Sequence, residues 1–189
     1  MKYILDFDDT LFDAKKLKKI LNDCGIAEDS VSDSTFDEIK RLQPDFDLRT
    51  LIFDDALIFL QKHRDDCEIV TTYLSRDVQK NTDIEARKRY QLRKIALCGI
   101  ADLLGTDHIH FTAESKKDAL MKLKEKHELL GEESVYVDDR ETYVQESEEL
   151  GFRTFFMNRE KFFGPFEFMQ SFERVTDISS FAELEDKLK

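Results

Sequence analysis

The chain has 189 residues, of which 41% are hydrophobic and 37% charged, so it is long enough for one domain with its own core. Its 41 Asp and Glu exceed its 29 Lys and Arg, which leaves a net charge of −12. A chain this acidic should not attract nucleic acid or an anionic membrane through its overall field. No apolar stretch approaches the roughly 18 residues of a membrane helix.

The three cysteines, Cys24, Cys67 and Cys98, are odd in number and form no Cys-x-x-Cys pair. Such a set is typical of reduced thiols rather than of a disulfide framework. The N-terminus reaches Asp6 almost at once, so no secretory signal is expected there. We therefore expect a cytoplasmic protein.

Short apolar strands alternate with helical segments along the chain. In order, the pattern predicts a strand over 2–8, helices over 14–26, 34–43 and 50–63, a strand over 67–75 and a helix over 76–98. There follow a strand over 108–112, a helix over 115–130, a strand over 134–139, a helix over 140–150, a strand over 152–158 and a final helix over 177–188. This alternation predicts an α/β, Rossmann-like parallel sheet of about five strands with helices on both faces.

Polar residues stand where the predicted strands end. They are Asp6 and Asp8, Thr71 or Thr72, the region after Thr112, and Asp138 and Asp139. Because ligands bind beyond the carboxyl ends of parallel strands, we expect these side chains to meet at one rim. Several carboxylates cluster only around a cation, and oxygen ligands without His or Cys suit Mg²⁺ rather than Zn²⁺.

Such a site can transfer a phosphoryl group. One carboxylate acts as a nucleophile, a second as general acid and base, and a hydroxyl with a lysine holds the phosphoryl oxygens. The chain offers Thr71 or Thr72 for the hydroxyl, and Lys116 or Lys117 for the ammonium.

The segment "DFDDT" (6–10) resembles the first motif of the haloacid dehalogenase (HAD) superfamily, D-x-D-x-T after an apolar strand. The segments "IVTTY", "SKKDALMKL" and "VYVDD" follow in the order of that family's other motifs, and the resemblance extends from residue 3 to about residue 157. It implies a HAD-like fold and a Mg²⁺-dependent phosphatase that hydrolyses a phosphomonoester through an aspartyl-phosphate.

The resemblance implies a role for each acid of the rim. Asp6 would be the nucleophile, and Asp8 the general acid and base, with its carbonyl on the metal. Asp139 would bind the metal directly, with Asp138 beside it. An acid at the Asp8 position separates the phosphatases of this family from its dehalogenases.

Two motif positions stay open. Thr71 fits an "apolar-apolar-Thr" ending, whereas Tyr73 favours Thr72, although Leu74 replaces the glycine of that subset. The spacing Lys-x-x-Ala-Leu favours Lys116 over Lys117.

Further candidates for contact with the substrate are Thr71, Asp9, Thr10, Arg76 and Lys117. Asp9 stands where the family most often has glycine. Arg76 would begin the basic helix over 76–98 and attract an anionic substrate, although a solvated helix face is the simpler reading. His108 and His110 could pair on a metal, but strand residues facing a helix are favoured.

The resemblance also divides the chain into a catalytic core, 1–13 and 49–189, and a small helical cap or lid over 14–48. A small cap is compatible with a small phosphorylated substrate. The Phe-rich segment 155–172 is expected to plug the edge of the core or to form a homodimer contact. Alternatives to a phosphatase are a phosphotransferase or phosphomutase on the same fold, or a non-catalytic phosphoacceptor or binding module.

Overall fold

The computed structural model describes residues 1–74, 83–113, 115–128, 133–159 and 175–189. Its strands are β1 Lys2–Leu5, β2 Cys67–Thr72, β3 Ile109–Thr112, β4 Ser134–Asp138, β5 Arg153–Met157 and β6 Thr176–Ile178. Its α-helices are α1 Ala14–Asp23, α2 Thr35–Leu42, α3 Asp54–His63, α4 Ile84–Leu97, α5 Ile100–Leu104, α6 Lys117–Lys126, α7 Glu141–Glu149 and α8 Phe181–Lys187. Short 3-10 turns occupy Glu28–Ser30, Leu48–Leu51, Arg64–Asp66 and Thr106–His108.

The six strands form one sheet in the order β3-β2-β1-β4-β5-β6, and every pairing is parallel. β1 lies between β2 and β4, where Leu5 pairs with Ile69 on one side and Val137 on the other. The strand order reverses at β1, which is the position where open α/β sheets bind their ligands. The predicted parallel sheet is confirmed, with one strand more than expected.

Two buried clusters cover the two faces of the sheet. Leu5 and Val137 belong to the larger cluster, together with apolar residues of α1, α3, α4 and α8. Their neighbours Ile4 and Tyr136 point to the other face and belong to a cluster with residues of α6 and α7. Because successive strand residues face opposite sides, both faces must be apolar, which explains the continuous apolar runs of the sequence.

The C-terminal helix begins later than predicted. Residues 176–178 form β6, in which Asp177 pairs with Phe156, and α8 starts only at Phe181. The side chain of Ser180 caps α8 by accepting a hydrogen bond from the Glu183 N–H at 3.2 Å. The final helix is confirmed, whereas β6 was not predicted, because a three-residue edge strand is too short to show an alternation of its own.

The basic helix predicted over 76–98 is confirmed over Ile84–Leu97, as α4. α4 begins at Ile84, because the side chain of Asp83 accepts a hydrogen bond from the Ala86 N–H at 3.0 Å and so caps the first turn. Residues 75–82, which include the candidate Arg76, lie outside the described residues.

The segment 14–48 lies between β1 and β2 in the chain and contains α1 and α2. Phe36 of α2 stacks on Tyr90 of α4 with ring centroids 4.9 Å apart. Arg93 of α4 makes two hydrogen bonds to the carboxylate of Asp37, at 2.9 and 2.6 Å. The segment is therefore tied to α4, while its role as a cap stays a prediction.

In the Phe-rich segment, Phe155 and Phe156 are buried in β5, and residues 160–172 lie outside the described residues. Among the helices of the described ranges, none is both long and apolar enough to cross a membrane.

Candidate active site

The loop after β1 carries the first acids of the site. The N–H of Asp6 donates to the Val137 carbonyl at 2.9 Å, which extends the pairing of β1 with β4. The chain then turns back on itself, because the N–H groups of Leu11 and Phe12 both donate to the Phe7 carbonyl, at 2.9 and 3.0 Å. Asp9 takes a positive φ of 57° within this turn. The turn thus presents acids at the carboxyl end of the sheet.

The carboxylates of Asp6, Asp138 and Asp139 form one cluster, in which an oxygen of each lies within 4.8 Å of the others. Asp138 ends β4 beside β1 and is fully buried. Tyr136 donates its hydroxyl to Asp138 at 2.5 Å, and the N–H of Arg140 donates to the other carboxylate oxygen at 2.8 Å. The orientation of Asp138 is therefore set by its neighbours on both sides of the strand end.

The ammonium of Lys116 lies inside this acidic cluster. Lys116 immediately precedes the first residue of α6, and the residue is 1% exposed. Its Nζ donates to Asp6 and, at 2.6 Å, to Asp138. Lys117 instead reaches Glu149 on the surface, at 3.1 Å. The structure thus brings Lys116, and not Lys117, to the acids.

Burial and mutual repulsion raise the pKa values of the acids. Burial raises the pKa of Asp6 to about 7, opposed by Lys116 and supported by Asp138. Burial and the charges of Asp6 and Asp138 raise the pKa of Asp139 well above its usual range. Burial alone would lower the pKa of Lys116, but the charges of Asp138 and Asp6 outweigh it and raise the pKa. The raised pKa values of Asp6 and Asp139 thus show that their ionised forms are disfavoured beside Asp138 when no further cation is bound.

Helix α4 supplies two contacts to Asp8 that the sequence analysis missed. Lys94 donates to both carboxylate oxygens of Asp8, at 2.6 and 2.8 Å, and is 4% exposed. Gln91 donates through one amide nitrogen to Asp8 and to the Thr71 hydroxyl, each at 2.9 Å. Both residues lie on the buried face of α4 with Tyr90 and Ile95, so polar residues within that apolar face could have revealed them.

The remaining candidates lie around the same rim. Thr71 is buried and Thr72 is half-buried, and both line the cavity at the end of β2. Thr10 is buried, and its hydroxyl has no hydrogen-bond partner within the described part of the chain. Asp9 accepts a hydrogen bond from the Lys15 N–H at 3.3 Å. Both threonines of β2 therefore remain candidates for contact with a substrate.

A cavity of about 610 Å³ opens beside these residues. Its lining includes the polar residues Asp6, Asp8 and Thr71, and also Leu17 and Leu21 of α1. Cationic side chains also border it, namely Lys15, Lys18, Arg87, Lys94 and Arg140. Its volume falls in the range of roughly 300–1,000 Å³ that is usual for small-molecule sites.

The acidic cluster fits a Mg²⁺ ion by its donor chemistry. All three groups are carboxylates, and a buried oxygen of Asp139 has no hydrogen-bond partner among the described residues. An unpaired buried oxygen in a group of like charges is costly unless a cation binds it. Mg²⁺ prefers oxygen ligands of this kind.

No protein-family model matches the sequence, and no curated protein is significantly similar to it. Solved structures do match over nearly the whole chain. The HAD-hydrolase YfnB from Bacillus subtilis, bound to magnesium, is 15% identical, with a TM-score of 0.64 over 100% of this chain and 98% of that one. A haloacid dehalogenase-like hydrolase from Burkholderia xenovorans is 17% identical, with a TM-score of 0.62 over 98% and 96%.

A third match is a HAD phosphatase from Thermococcus onnurineus, 18% identical, with a TM-score of 0.54 over 100% of this chain and 98% of that one. At these identities the likeness concerns the fold. The protein has the α/β fold of the haloacid dehalogenase-like hydrolases, as the opening motif predicted.

Proposed function

We propose that the protein is a Mg²⁺-dependent phosphatase that hydrolyses a phosphomonoester through an aspartyl-phosphate on Asp6. The observation that carries this proposal is the acidic cluster of Asp6, Asp138 and Asp139 with Lys116 inside it, at the edge of a cavity. Asp8 lines the same cavity two residues after Asp6, where a second carboxyl is needed for proton transfer.

In the proposed reaction, a carboxylate oxygen of Asp6 attacks the phosphorus and the bond to the leaving oxygen breaks. Asp8 gives its proton to that leaving oxygen, and the product alcohol departs. Asp8 then takes a proton from water, which attacks the phosphorus and releases inorganic phosphate from Asp6. The two carboxyls thus end the cycle as they began it.

Asp6, Asp138 and Asp139 would hold the Mg²⁺, together with the carbonyl of Asp8. When bound, the ion supplies positive charge that offsets the repulsion between these carboxylates and the phosphate. Lys116 would add a fixed positive charge where the phosphoryl oxygens gather. The hydroxyl of Thr71 or Thr72 would donate a hydrogen bond to one of those oxygens.

Two of the similar structures agree with this proposal by their descriptions, one as a phosphatase and one as a hydrolase bound to magnesium. The acid at position 8 favours phosphatase over dehalogenase chemistry, because phosphate ester hydrolysis needs a proton donor for the leaving oxygen. The cavity wall formed by α1 supports a substrate-selecting role for the 14–48 segment.

The direct test is hydrolysis of para-nitrophenyl phosphate and of a panel of phosphorylated metabolites, with Mg²⁺ and with a chelator. Wild type should be active only with Mg²⁺, and Asp6→Asn should be inactive on every substrate. Asp102→Asn removes an exposed acid of α5 and should behave as wild type. Activity that survives in Asp6→Asn would refute the nucleophile, and phosphate transfer to an added alcohol would favour a phosphotransferase.

A further inference from the structure

The ammonium of Lys94 is buried next to Asp8, the acid to which the proposed function gives the proton transfers. Its side chain is 5% exposed, and its Nζ lies 2.6 and 2.8 Å from the two oxygens of Asp8. Its other neighbours include the rings of Phe7 and Phe12, both 5.4 Å from Nζ. Because a buried ammonium is costly unless it is paired, the position of Lys94 depends on Asp8, and that of Asp8 on Lys94.

Gln91 holds the same carboxylate from one helical turn away. Its Nε2 donates to Asp8 and to Thr71, both at 2.9 Å, so one amide joins the loop after β1 to the end of β2. Residues three apart on a helix share a face, which lets Gln91 and Lys94 reach one carboxylate together.

Helix α4 is itself fixed on its outer side. Arg93 binds the carboxylate of Asp37 in α2, and Arg87 donates to the Glu28 carbonyl at 2.7 Å. The two donors to Asp8 therefore project from a helix that is held on both sides, which limits rotation of the Asp8 side chain.

The hydrogen bonds also differ between the two oxygens of Asp8. Oδ2 accepts from Lys94 and Gln91, whereas Oδ1 accepts from Lys94. A carboxylate offers about four acceptor positions, so among the residues that the structure describes these contacts leave one position, on Oδ1. That oxygen is the one able to carry a proton toward a ligand.

We propose that Lys94 and Gln91 are positioning residues, which orient Asp8 so that Oδ1 delivers its proton to the leaving oxygen. The inference rests on the proposed phosphatase function and deepens it. General acid catalysis depends on geometry, so a freely rotating Asp8 would protonate poor leaving groups inefficiently.

The test compares substrates that differ in their need for that proton. para-Nitrophenyl phosphate has a leaving group that departs without protonation, whereas phenyl phosphate and propyl phosphate need increasing help. Lys94→Met should lower kcat/KM for propyl phosphate by about 100-fold, which is the lower end of the usual contribution of a general acid. For para-nitrophenyl phosphate it should lower kcat/KM by less than about threefold, because that leaving group needs no proton. Gln91→Leu should show the same trend with a smaller loss, and Lys94→Arg should restore part of it.

Lys124→Met is the matched control, because Lys124 is a half-buried lysine that donates to the Leu150 carbonyl. It should match wild type on every substrate. An equal loss on all substrates in Lys94→Met would overturn the positioning role, as would a rise in KM with unchanged kcat, which would make Lys94 a substrate-binding residue.

A second test needs no substrate, so it applies even if a variant folds poorly or the enzyme does not hydrolyse these esters. Urea unfolding of Lys94→Met, Asp8→Asn and the double variant, all in chelator, should show strong coupling between the two sites. Additive effects would overturn the inference. Inactivity of the wild type, or activity of Asp6→Asn, would instead count against the proposed function.

Discussion

The ammonium of Lys116 joins the carboxylate of Asp6, which follows β1, to that of Asp138, which ends β4. The three residues come from segments far apart in the chain, and the sheet brings them together because β1 and β4 are paired strands. Lys116 is therefore both a structural link between the strands and α6 and a charge at the proposed phosphoryl site.

Replacing Lys116 by Met should impair folding stability and activity together. Removing one partner of a buried ion pair leaves charges uncompensated, which typically costs about 3–5 kcal/mol in the free energy of unfolding. Loss of a charge that stabilises the transferring group should lower kcat by about 10²-fold or more. Urea unfolding and steady-state kinetics measure the two effects.

The matched control is Lys117→Met. Lys117 makes a surface ion pair with Glu149, which is worth at most about 1 kcal/mol, so both quantities should stay near wild type. If Lys117→Met lost activity and Lys116→Met did not, the assignment of the motif lysine would be reversed.

Mg²⁺ should stabilise the folded protein through the acidic cluster. An ion that binds only the folded state adds about 2.7 kcal/mol when its concentration is 100 times its Kd. We expect Mg²⁺ to raise the Tm of wild type, and Asp139→Asn to remove most of that rise. Without Mg²⁺, Asp139→Asn should be at least as stable as wild type, because it removes a buried carboxylate whose pKa is raised by burial and by the charges of Asp6 and Asp138.

Scanning calorimetry with Mg²⁺ and with chelator makes this comparison, and Asp102→Asn serves as the control that keeps the full shift. If Mg²⁺ raised the Tm of Asp139→Asn as much as that of wild type, the metal would bind somewhere other than this cluster.

Glu68 should make the stability of the protein depend on acidic pH. It is fully buried near the start of β2, where His110 and His127 pair with its two oxygens at 2.8 and 2.6 Å. Burial would raise the pKa of Glu68, yet these hydrogen bonds outweigh it and lower the pKa from 4.5 to about 2. The pairing also accounts for His110, which the sequence suggested as a strand residue rather than a metal ligand.

The sign of the effect follows from the lowered pKa. The stabilisation is present above the unfolded pKa of 4.5 and is lost as the pH falls toward the folded value of about 2. Urea unfolding across this window should show a loss on the order of 2 kcal/mol in wild type, which Glu68→Gln should not share. Glu125 is an exposed residue of α6, so Glu125→Gln should lose unfolding free energy with falling pH as the wild type does. The prediction would be contradicted if the unfolding free energy of Glu68→Gln fell with pH as much as that of the wild type.

Arg159 should be needed for the shape of the loop that carries Asp6 and Asp8. Its guanidinium binds both oxygens of Asp55 at 2.7 Å and donates to the Thr10 carbonyl at 2.7 Å. Arg159→Met should cost about 2–3 kcal/mol of unfolding free energy, since hydrogen bonds to charged groups are among the stronger ones. It should also lower kcat, because the loop loses its contact with the end of β5.

Arg64→Met is the control for this variant, because Arg64 is exposed and its ion pair with Asp65 lies on the surface. Its stability and activity should stay near wild type. An Arg159→Met variant that is destabilised but keeps the wild-type kcat would show that Arg159 supports the fold and not the loop geometry.

Central strands are the elements that the amino-acid sequence predicts best. Each central parallel strand is buried on both faces, so its residues form an apolar run that is visible without neighbours. The acids at the ends of β1 and β4 were found for the same reason, because they interrupt those runs at one rim. β6 was missed because three residues at a sheet edge carry no such run.

The contacts of α4 with Asp8 could not be predicted from the sequence. Lys94 meets Asp8 across 86 residues of chain, and the helix carries basic residues on its solvated side as well. Its composition therefore did not distinguish a buried lysine from an exposed one. For the same reason composition did not distinguish Lys116 from Lys117. The two are adjacent in sequence, but Lys116 points to the buried acidic cluster and Lys117 points to the surface.

By itself, the sequence determined the parallel α/β sheet and the rim at which its acids gather, because burial on two faces and strand ends leave local patterns. Only the tertiary structure decided which lysine enters the acidic cluster and which helix holds Asp8. Those choices depend on the packing of α4 and α6 against the sheet, a property that residues distant in sequence establish together.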